Sequence, residues 1–193
     1  MEEKKCVTLG IIGHYFSGKS SLSSLMAYYS QLKLKLSFTF NRKFSCINSF
    51  DITIEIHQFR RKNYHLNLKY TELRYFDSPG FPNLKNELIK TISQSDNCFI
   101  FVSALKEEYE LNRGNLQQIE DQIILTKVFG VKKIFFIISK MDEKEVNFEQ
   151  EKFEDTVKQI SMILQKLNEN SFKYQFIPIS SYKVIMLQIL HRK

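Results

Sequence analysis

Short apolar runs alternate with amphipathic stretches along the whole sequence, and this alternation restricts the possible folds more than any other feature. Three runs, Val7–Ile12, Cys98–Val102 and Ile134–Ile138, are almost continuously apolar, as strands buried on both faces of a sheet are. Stretches with helical periodicity separate them, and these are long enough for crossover helices. The pattern therefore predicts an α/β protein with a largely parallel sheet and helices on both faces.

The remaining elements follow from the spacing of the apolar residues. Period-two alternation predicts a strand over 52–59 and another over 65–76, joined by a hairpin through 60–63. Helical spacing predicts helices over 20–29, 84–92, 116–124, 153–167 and 182–191, with a last strand over 174–179. No linker, repeat or change of composition interrupts the series, so residues 1–193 are expected to form one domain.

The composition excludes several classes of protein. Hydrophobic residues make up 43% of the 193 residues and charged residues 25%, which is ordinary for a globular chain. Cys6, Cys46 and Cys98 lie far apart, so no zinc site is expected and the thiols fit a reducing compartment; Cys6 and Cys98 are expected in the core. Without a secretory signal or a long apolar run, we expect a cytoplasmic protein with no membrane span.

Much of the net charge of +7 comes from one region. Residues 31–75 contain nine Lys or Arg and three Asp or Glu. Such a stretch can meet RNA phosphates or an acidic protein surface, so a protein or ribonucleoprotein partner is one interpretation. The other interpretation is a sheet edge exposed to solvent, which the basic side chains keep soluble.

The strongest chemical signal is the segment GHYFSGKS at residues 13–20, which follows the first apolar run and opens the first helix. This is the context that a phosphate-binding P-loop requires. Gly13 and Gly18 let the backbone wrap around a phosphate, whose charge the backbone N–H groups and the helix N-terminus favour. Lys19 would reach the terminal phosphates, and Ser20 would hold Mg²⁺ through its hydroxyl.

Two further segments follow strands. Asp77-Ser78-Pro79-Gly80 can hold Mg²⁺ through Asp77, while the amide of Gly80 contacts a terminal phosphate; as a bare pattern it is also a common turn. In Ser139-Lys140-Met141-Asp142, the carboxylate of Asp142 can accept hydrogen bonds from guanine, and adenine would leave it unpaired. Ser180 and Ser181 follow the last strand and either contact the base or merely cap a helix.

These motifs occur in the order found in translational GTPases, and their flanks resemble elongation factor 1-alpha. The resembling blocks are IIGHYFSGKSS at 11–21, DITIEI at 51–56, YFDSPGF at 75–81, SQSDNCFIFVSA at 93–104, GVKKIFFIISKMD at 130–142 and FIPIS at 176–180. They extend over essentially the whole chain, as a GTP-binding domain only. The resemblance implies the three-layer P-loop NTPase (G-domain) fold, with a mostly parallel six-stranded sheet.

The resemblance also implies GTP or GDP and Mg²⁺ as cofactors, and it assigns residues to them. Residues implied to bind nucleotide are Gly13, Ser17, Gly18, Lys19, Ser20, Ser21, Gly80, Ser139, Lys140, Asp142, Ser180 and Ser181. Ser20, Thr53 and Asp77 are implied to bind the metal. Thr53 also fits an outward position in an alternating strand, which needs no ligand.

Four departures from the family pattern concern catalysis and the nucleotide. Phe81 replaces the histidine that positions the attacking water, and losing such a group costs about 10²–10⁴ in rate. Ser139 replaces the asparagine that ties the guanine loop to the P-loop, and Phe16 replaces a P-loop acid. The segment before Thr53 is short and lacks the family's glycine. We therefore expect impaired or absent hydrolysis and no catalytic residue of the family type.

Two functions remain open at this point. The first is a guanine-nucleotide-binding protein that acts as a switch or a nucleotide-stabilised module. The second is a pseudo-GTPase that serves as a structural subunit of a larger assembly. An ATP-dependent enzyme is less expected, because Asp142 favours guanine. Since the chain stops at Lys193, before the β-barrel domains of the family, we do not expect it to deliver tRNA.

Overall fold

The computed structural model describes residues 5–31, 35–37, 51–53, 55–58, 63–67, 71–80, 84–105, 108, 113–167 and 173–181. The strands are β1 (Lys5–Gly13), β2 (Lys35–Ser37), β3 (Asp51–Thr53), β4 (Glu55–Gln58), β5 (Asn63–Asn67), β6 (Thr71–Asp77), β7 (Asn97–Ser103), β8 (Lys133–Ser139) and β9 (Lys173–Pro178). The helices are α1 (Lys19–Gln31), α2 (Lys85–Ser93), α3 (Arg113–Val128) and α4 (Gln150–Lys166). The predicted helix over 182–191 lies outside the described residues.

The main sheet has the strand order β4-β5-β6-β1-β7-β8-β9. Its last five strands run parallel, and β4 and β5 are added antiparallel at one edge. This confirms the α/β fold and the largely parallel sheet. Every parallel connection after β6 contains a helix, as a crossover requires. A separate two-stranded sheet pairs β2 with β3.

The expected number of six strands is wrong by one, because the described residues form seven in the main sheet. The prediction treats 65–76 as a single strand, whereas the chain reverses within it and pairs β5 with β6. Leu66 faces Leu73 across this ladder. Both halves alternate with the same period of two, so a turn between them leaves the pattern unchanged. The antiparallel pairing that the predicted hairpin requires is present between β4 and β5, and residues 60–62 of the predicted turn lie outside the described residues.

The sheet carries a core on each face. On one face, Ile100 and Phe136 pack in a cluster with residues of α2, α3 and α4, such as Ile92, Ile119 and Ile160. On the other face, α1 lies near β1, β4 and β6 and buries Leu22, Leu25 and Met26. The hydroxyl of Tyr75 donates to the carbonyl of Ser23 at 3.2 Å, which fixes α1 against β6. The helices therefore cover both faces, as the sequence predicts.

The two described cysteines differ. Cys98 is buried, and this burial raises the pKa of its thiol to about 12, so it acts as a small core residue. Cys6 is exposed, and its expected place in the core is wrong because it lies near the start of β1. Within the part of the chain described, no helix is both long and apolar enough to cross a membrane.

Candidate functional site

The parallel strands place their following loops at one edge of the sheet. The strands β1, β6, β7, β8 and β9 end at Gly13, Asp77, Ser103, Ser139 and Pro178, respectively. In open α/β sheets, ligands bind in the crevice outside these carboxyl ends. The motifs found in the sequence follow β1, β6, β8 and β9, so the fold collects them at this edge.

The first loop joins β1 to α1 and requires its glycines. Gly13 and Gly18 have φ angles of +147° and +88°, which side chains rarely adopt. A Cβ on Gly13 would lie 2.7 Å from the carbonyl oxygen of Phe101. The Nζ of Lys19, at the start of α1, donates to the carbonyl of His14 at 2.5 Å and to Ser17 Oγ at 3.2 Å. The side chain of Lys19 therefore folds back, so that its amine contacts the P-loop.

The second loop, after β6, packs directly on the first. A Cβ on Gly80 would lie 2.6 Å from Lys19 Nζ and 2.8 Å from the carbonyl carbon and oxygen of His14. Because the backbone of His14 cannot shift as the end of the lysine side chain can, only a glycine lets the two loops pack so closely. Helix α3 holds this loop from the other side, because Gln118 Nε2 donates to the carbonyl of Gly80 at 3.2 Å. Sequence analysis missed Gln118, since it belongs to no motif.

The third loop, after β8, is tied to the P-loop through Ser139. Its hydroxyl lies 2.6 Å from the carbonyl of Ser17, a buried contact, and 3.2 Å from that of Val102. The hydroxyl of Ser139 therefore links the two loops. Because the family has an asparagine at this position, the sequence predicts a weaker link. Next to it, Lys140 has a φ of +60° and its amine forms an ion pair with the carboxylate of Glu108.

A cavity of about 620 Å³ lies between these loops. Ten of the residues predicted to bind nucleotide line it: Ser17, Gly18, Lys19, Ser20, Ser21, Gly80, Ser139, Lys140, Asp142 and Ser181. Tyr15, Phe16, Ser78, Pro79 and Glu143 also line it and were not predicted. Most of these five lie inside the motifs, and a search that admitted every residue of a motif would have found them.

Four predicted residues are not in the lining. Gly13 lies at the base of the P-loop and Ser180 is buried beside Ser181. Asp77 ends β6, one residue before the lining begins. The backbone of Thr53 lies in β3, in the separate sheet. Phe81 lies outside the described residues.

The donors fit a magnesium ion better than a transition metal. The cavity edge offers hydroxyls such as Ser20, and Asp77 follows next to it; such hard oxygen donors suit Mg²⁺. Across the described ranges, no group of three or more His, Cys, Asp or Glu residues could hold a metal.

His14 is a buried histidine inside the P-loop. Its Nδ1 lies 2.7 Å from the carbonyl of Tyr15, which can only accept, so Nδ1 carries a proton. Burial lowers the pKa of His14, and the charges of Lys19 and Lys140 lower it further, while the Tyr15 carbonyl and Glu108 act in the opposite direction. The ring is therefore neutral at pH 7, and its buried Nε2 has no hydrogen-bond partner among the described residues.

Two aromatic residues form a rim on the cavity. Tyr15 is 44% exposed and Phe16 is 70% exposed, with ring centroids 3.9 Å apart. Phe16 has a φ of +61°, which is strained for a bulky side chain. Both rings therefore line the cavity and also contact solvent.

Comparisons with known proteins agree with this architecture. The sequence profile of the family described as "Elongation factor Tu GTP binding domain" matches residues 4–192. Elongation factor 1-alpha of Aeropyrum pernix is 28% identical over an alignment of 196 positions, which covers 95% of this chain and 45% of that protein. The factor of Tetrahymena pyriformis is 27% identical over an alignment of 200 positions, which covers 93% of this chain and 44% of that protein. The chain thus spans less than half of these relatives.

Solved structures share the fold. A crystal structure of sup35 complexed with GDP has a TM-score of 0.62 at 21% identity, covering 95% of this chain and 39% of that one. The elongation factor SelB from Methanococcus maripaludis, in complex with the GTP analogue GppNHp, also has a TM-score of 0.62, at 22% identity. That match covers 98% of this chain and 33% of SelB.

Proposed function

Because the chain belongs to the family of elongation factor Tu GTP-binding domains, we propose that it binds guanine nucleotides in this cavity and hydrolyses GTP slowly or not at all. It then acts as a switch or as a nucleotide-stabilised module. The observation that carries the proposal is the convergence of three loops on one cavity of about 620 Å³. That volume lies in the range of small-molecule sites.

The two ends of the cavity differ in chemistry, and this supports the orientation of the nucleotide. Lys19, with the loop amides before α1, forms a cationic end that suits the phosphates. Asp142 and Lys140 also line the cavity, and we assign the base to this pair, because a carboxylate there would select guanine over adenine. Ser181 follows β9 at the same end and is proposed to contact the base.

A bound Mg²⁺ would neutralise charge on the phosphates. Ser20 and Asp77 are the residues proposed to hold it, together with Thr53. The hydroxyl of Ser20 opens α1 and lines the cavity, which supports its place in this set. Thr53 enters from the resemblance alone.

Slow hydrolysis follows from Phe81, which cannot hydrogen-bond a water. We expect Phe81→His to raise multiple-turnover GTP hydrolysis by about 10²-fold or more, since positioned acid–base groups contribute that much. The measurement is phosphate release by the purified chain, with Phe81→Tyr as the control for a changed ring. Equal rates for the wild type and Phe81→His would mean that another step limits turnover.

Binding itself is tested by titration with GDP and with ADP. We expect saturable binding of GDP and at least a hundredfold weaker binding of ADP, because adenine leaves the Asp142 carboxylate unpaired. Equal affinities would contradict the assignment of Asp142. A cytoplasmic location, and a protein or ribonucleoprotein partner at the basic stretch 31–75, belong to the same proposal.

The second candidate is a pseudo-GTPase that serves as a structural subunit. The exposed rings of Tyr15 and Phe16 favour it, since apolar side chains at the rim of a site can contact another protein. Nucleotide binding distinguishes the two candidate functions. A structural subunit needs no nucleotide, so a chain that folds and assembles without binding GDP would support the second candidate.

A further inference from the structure

Ser78 carries a hydroxyl that the fold buries beside the cavity and does not use. The residue is 3% exposed and lines the cavity. Its Oγ is buried and has no hydrogen-bond partner among the described residues. A buried hydroxyl without a partner destabilises a protein, so such groups in native structures call for an explanation.

The other serine hydroxyls around the P-loop differ in this respect. Ser17 Oγ accepts a hydrogen bond from Lys19, Ser139 Oγ donates to the carbonyl of Ser17, and Ser23 Oγ donates to the carbonyl of Lys19. The first of these bonds lies in the P-loop, the second joins the P-loop to the guanine loop and the third lies within α1, so the folded chain uses all three hydroxyls. Ser78 contributes nothing of this kind to the folded chain, so its hydroxyl is available for a ligand.

The backbone fixes where this hydroxyl lies. The N–H of Ser78 donates to the carbonyl of Ile11 at 3.0 Å, which ties the residue to β1 just before the P-loop. Two residues later, Gly80 packs against Lys19 Nζ. Ser78 therefore lies at the end of the cavity that holds the lysine amine, and its short side chain needs only a rotation about χ1 to change the direction of its hydrogen bond.

We propose that Ser78 is a phosphate-binding residue whose hydroxyl donates to a phosphate oxygen of the bound nucleotide. The proposal rests on the proposed nucleotide binding and adds a ligand contact from the β6 loop. A phosphate oxygen is the fitting acceptor, because Lys19 attracts that group to this end and a hydrogen bond to a charged acceptor is among the strongest that a hydroxyl makes. Such a bond satisfies the hydroxyl only when nucleotide is present.

If Ser78 has this role, Ser78→Ala should not lower the stability of the nucleotide-free protein, but it should lower the affinity for nucleotide. Ser78→Ala removes a partnerless buried hydroxyl from the nucleotide-free protein, so that form should unfold at the same or a higher temperature. The same substitution removes a hydrogen bond from the complex, so affinity should fall about tenfold for GDP, for the GTP analogue GMPPNP, or for both. A residue that merely supports the fold would lower stability and affinity together.

The experiment measures the melting temperature of the nucleotide-free chain and the affinities for GDP and GMPPNP, in the wild type and Ser78→Ala. Ser95→Ala is the matched control, because Ser95 Oγ donates to the carbonyl of Thr91 at 2.6 Å and Ser95 does not line the cavity. We expect this control to keep the wild-type affinity and to melt no higher than the wild type.

Unchanged affinity of Ser78→Ala for both nucleotides would overturn the assignment of Ser78 and leave nucleotide binding intact. A lower melting temperature together with weaker binding would also overturn it, in favour of a structural role. A wild-type chain that binds neither nucleotide would instead remove the proposed function, and the role of Ser78 with it.

Discussion

The P-loop and the guanine loop, 13–20 and 139–142, occupy equivalent places at the ends of parallel strands, but different forces shape them. The P-loop takes its form from its own backbone, through glycines at positive φ and a lysine that bonds two positions within the loop. The guanine loop is held by side-chain contacts to distant segments, from Ser139 to Ser17 and from Lys140 to Glu108. One loop is defined locally and the other by its neighbours.

This difference predicts which substitutions each loop tolerates. A locally defined loop should lose its ligand when its own motif changes and should hardly respond to changes elsewhere. A loop held by distant contacts should respond to residues far away in sequence.

The largest effect is expected at Lys19. Lys19→Met keeps most of the stem and removes the charge that faces the phosphates, so GDP affinity should fall about a hundredfold or more. Isothermal titration with GDP measures this, and Lys132→Met, at a surface lysine paired with Asp96, is the control. Near-wild-type affinity of Lys19→Met would contradict a phosphate at this loop.

A smaller effect is expected at Ser139. Ser139→Ala removes the bond to the carbonyl of Ser17, so the free energy of unfolding should fall by about 1–3 kcal/mol and GDP should bind about tenfold more weakly. Ser103→Ala is the matched control, because Ser103 is a buried serine at the end of neighbouring β7 whose Oγ accepts from the amide of Leu105. If both variants weakened GDP binding equally, the link between the loops would not be specific.

These cases also show how far sequence reasoning reaches. The P-loop, the loop after β6 and the guanine loop could be placed from motifs, because each is a short segment between elements that the apolar pattern predicts. The contacts of Ser139 with Ser17 and of Gln118 with Gly80 span 122 and 38 residues. Such contacts depend on the packing of whole elements, which neither periodicity nor motif spacing encodes.

The reversal between β5 and β6 was not predicted, for a related reason. A strand pattern gives the faces of a strand but not the points where the chain reverses, so β5 and β6 were predicted as one strand. The roles of the nucleotide-binding residues, by contrast, came from the motifs and from the family resemblance, and they stay predictions. Their arrangement around one cavity makes them testable.

A modest effect is expected at Glu108, which pairs with Lys140 in a partly buried position. Glu108→Gln should weaken GDP binding about threefold, because the lysine loses the carboxylate that holds it beside the cavity. The dissociation rate of GDP reports this change. Glu120→Gln is the control, since Glu120 pairs with Lys166 away from the cavity, and an equal change in the two variants would rule out a specific role of Glu108.

The smallest effect is expected from the titration of His14. Its pKa is lowered by burial, so below about pH 6.5 the unfolded chain takes up a proton before the folded chain does. Stability should therefore decline as the pH falls below 6.5, by at most about 1.4 kcal/mol per pH unit from this residue. His14→Gln should flatten the pH profile of urea unfolding; an unchanged slope would show that His14 does not carry the effect.

The most direct test of the central claim is the identity of the nucleotide that the chain carries. The protein is purified under mild conditions without added nucleotide and denatured, and the released small molecules are separated by chromatography. We expect GDP or GTP close to one equivalent per chain, and a much smaller amount with Lys19→Met. An adenine nucleotide in its place, or a folded chain that carries none and binds no GDP on titration, would contradict it.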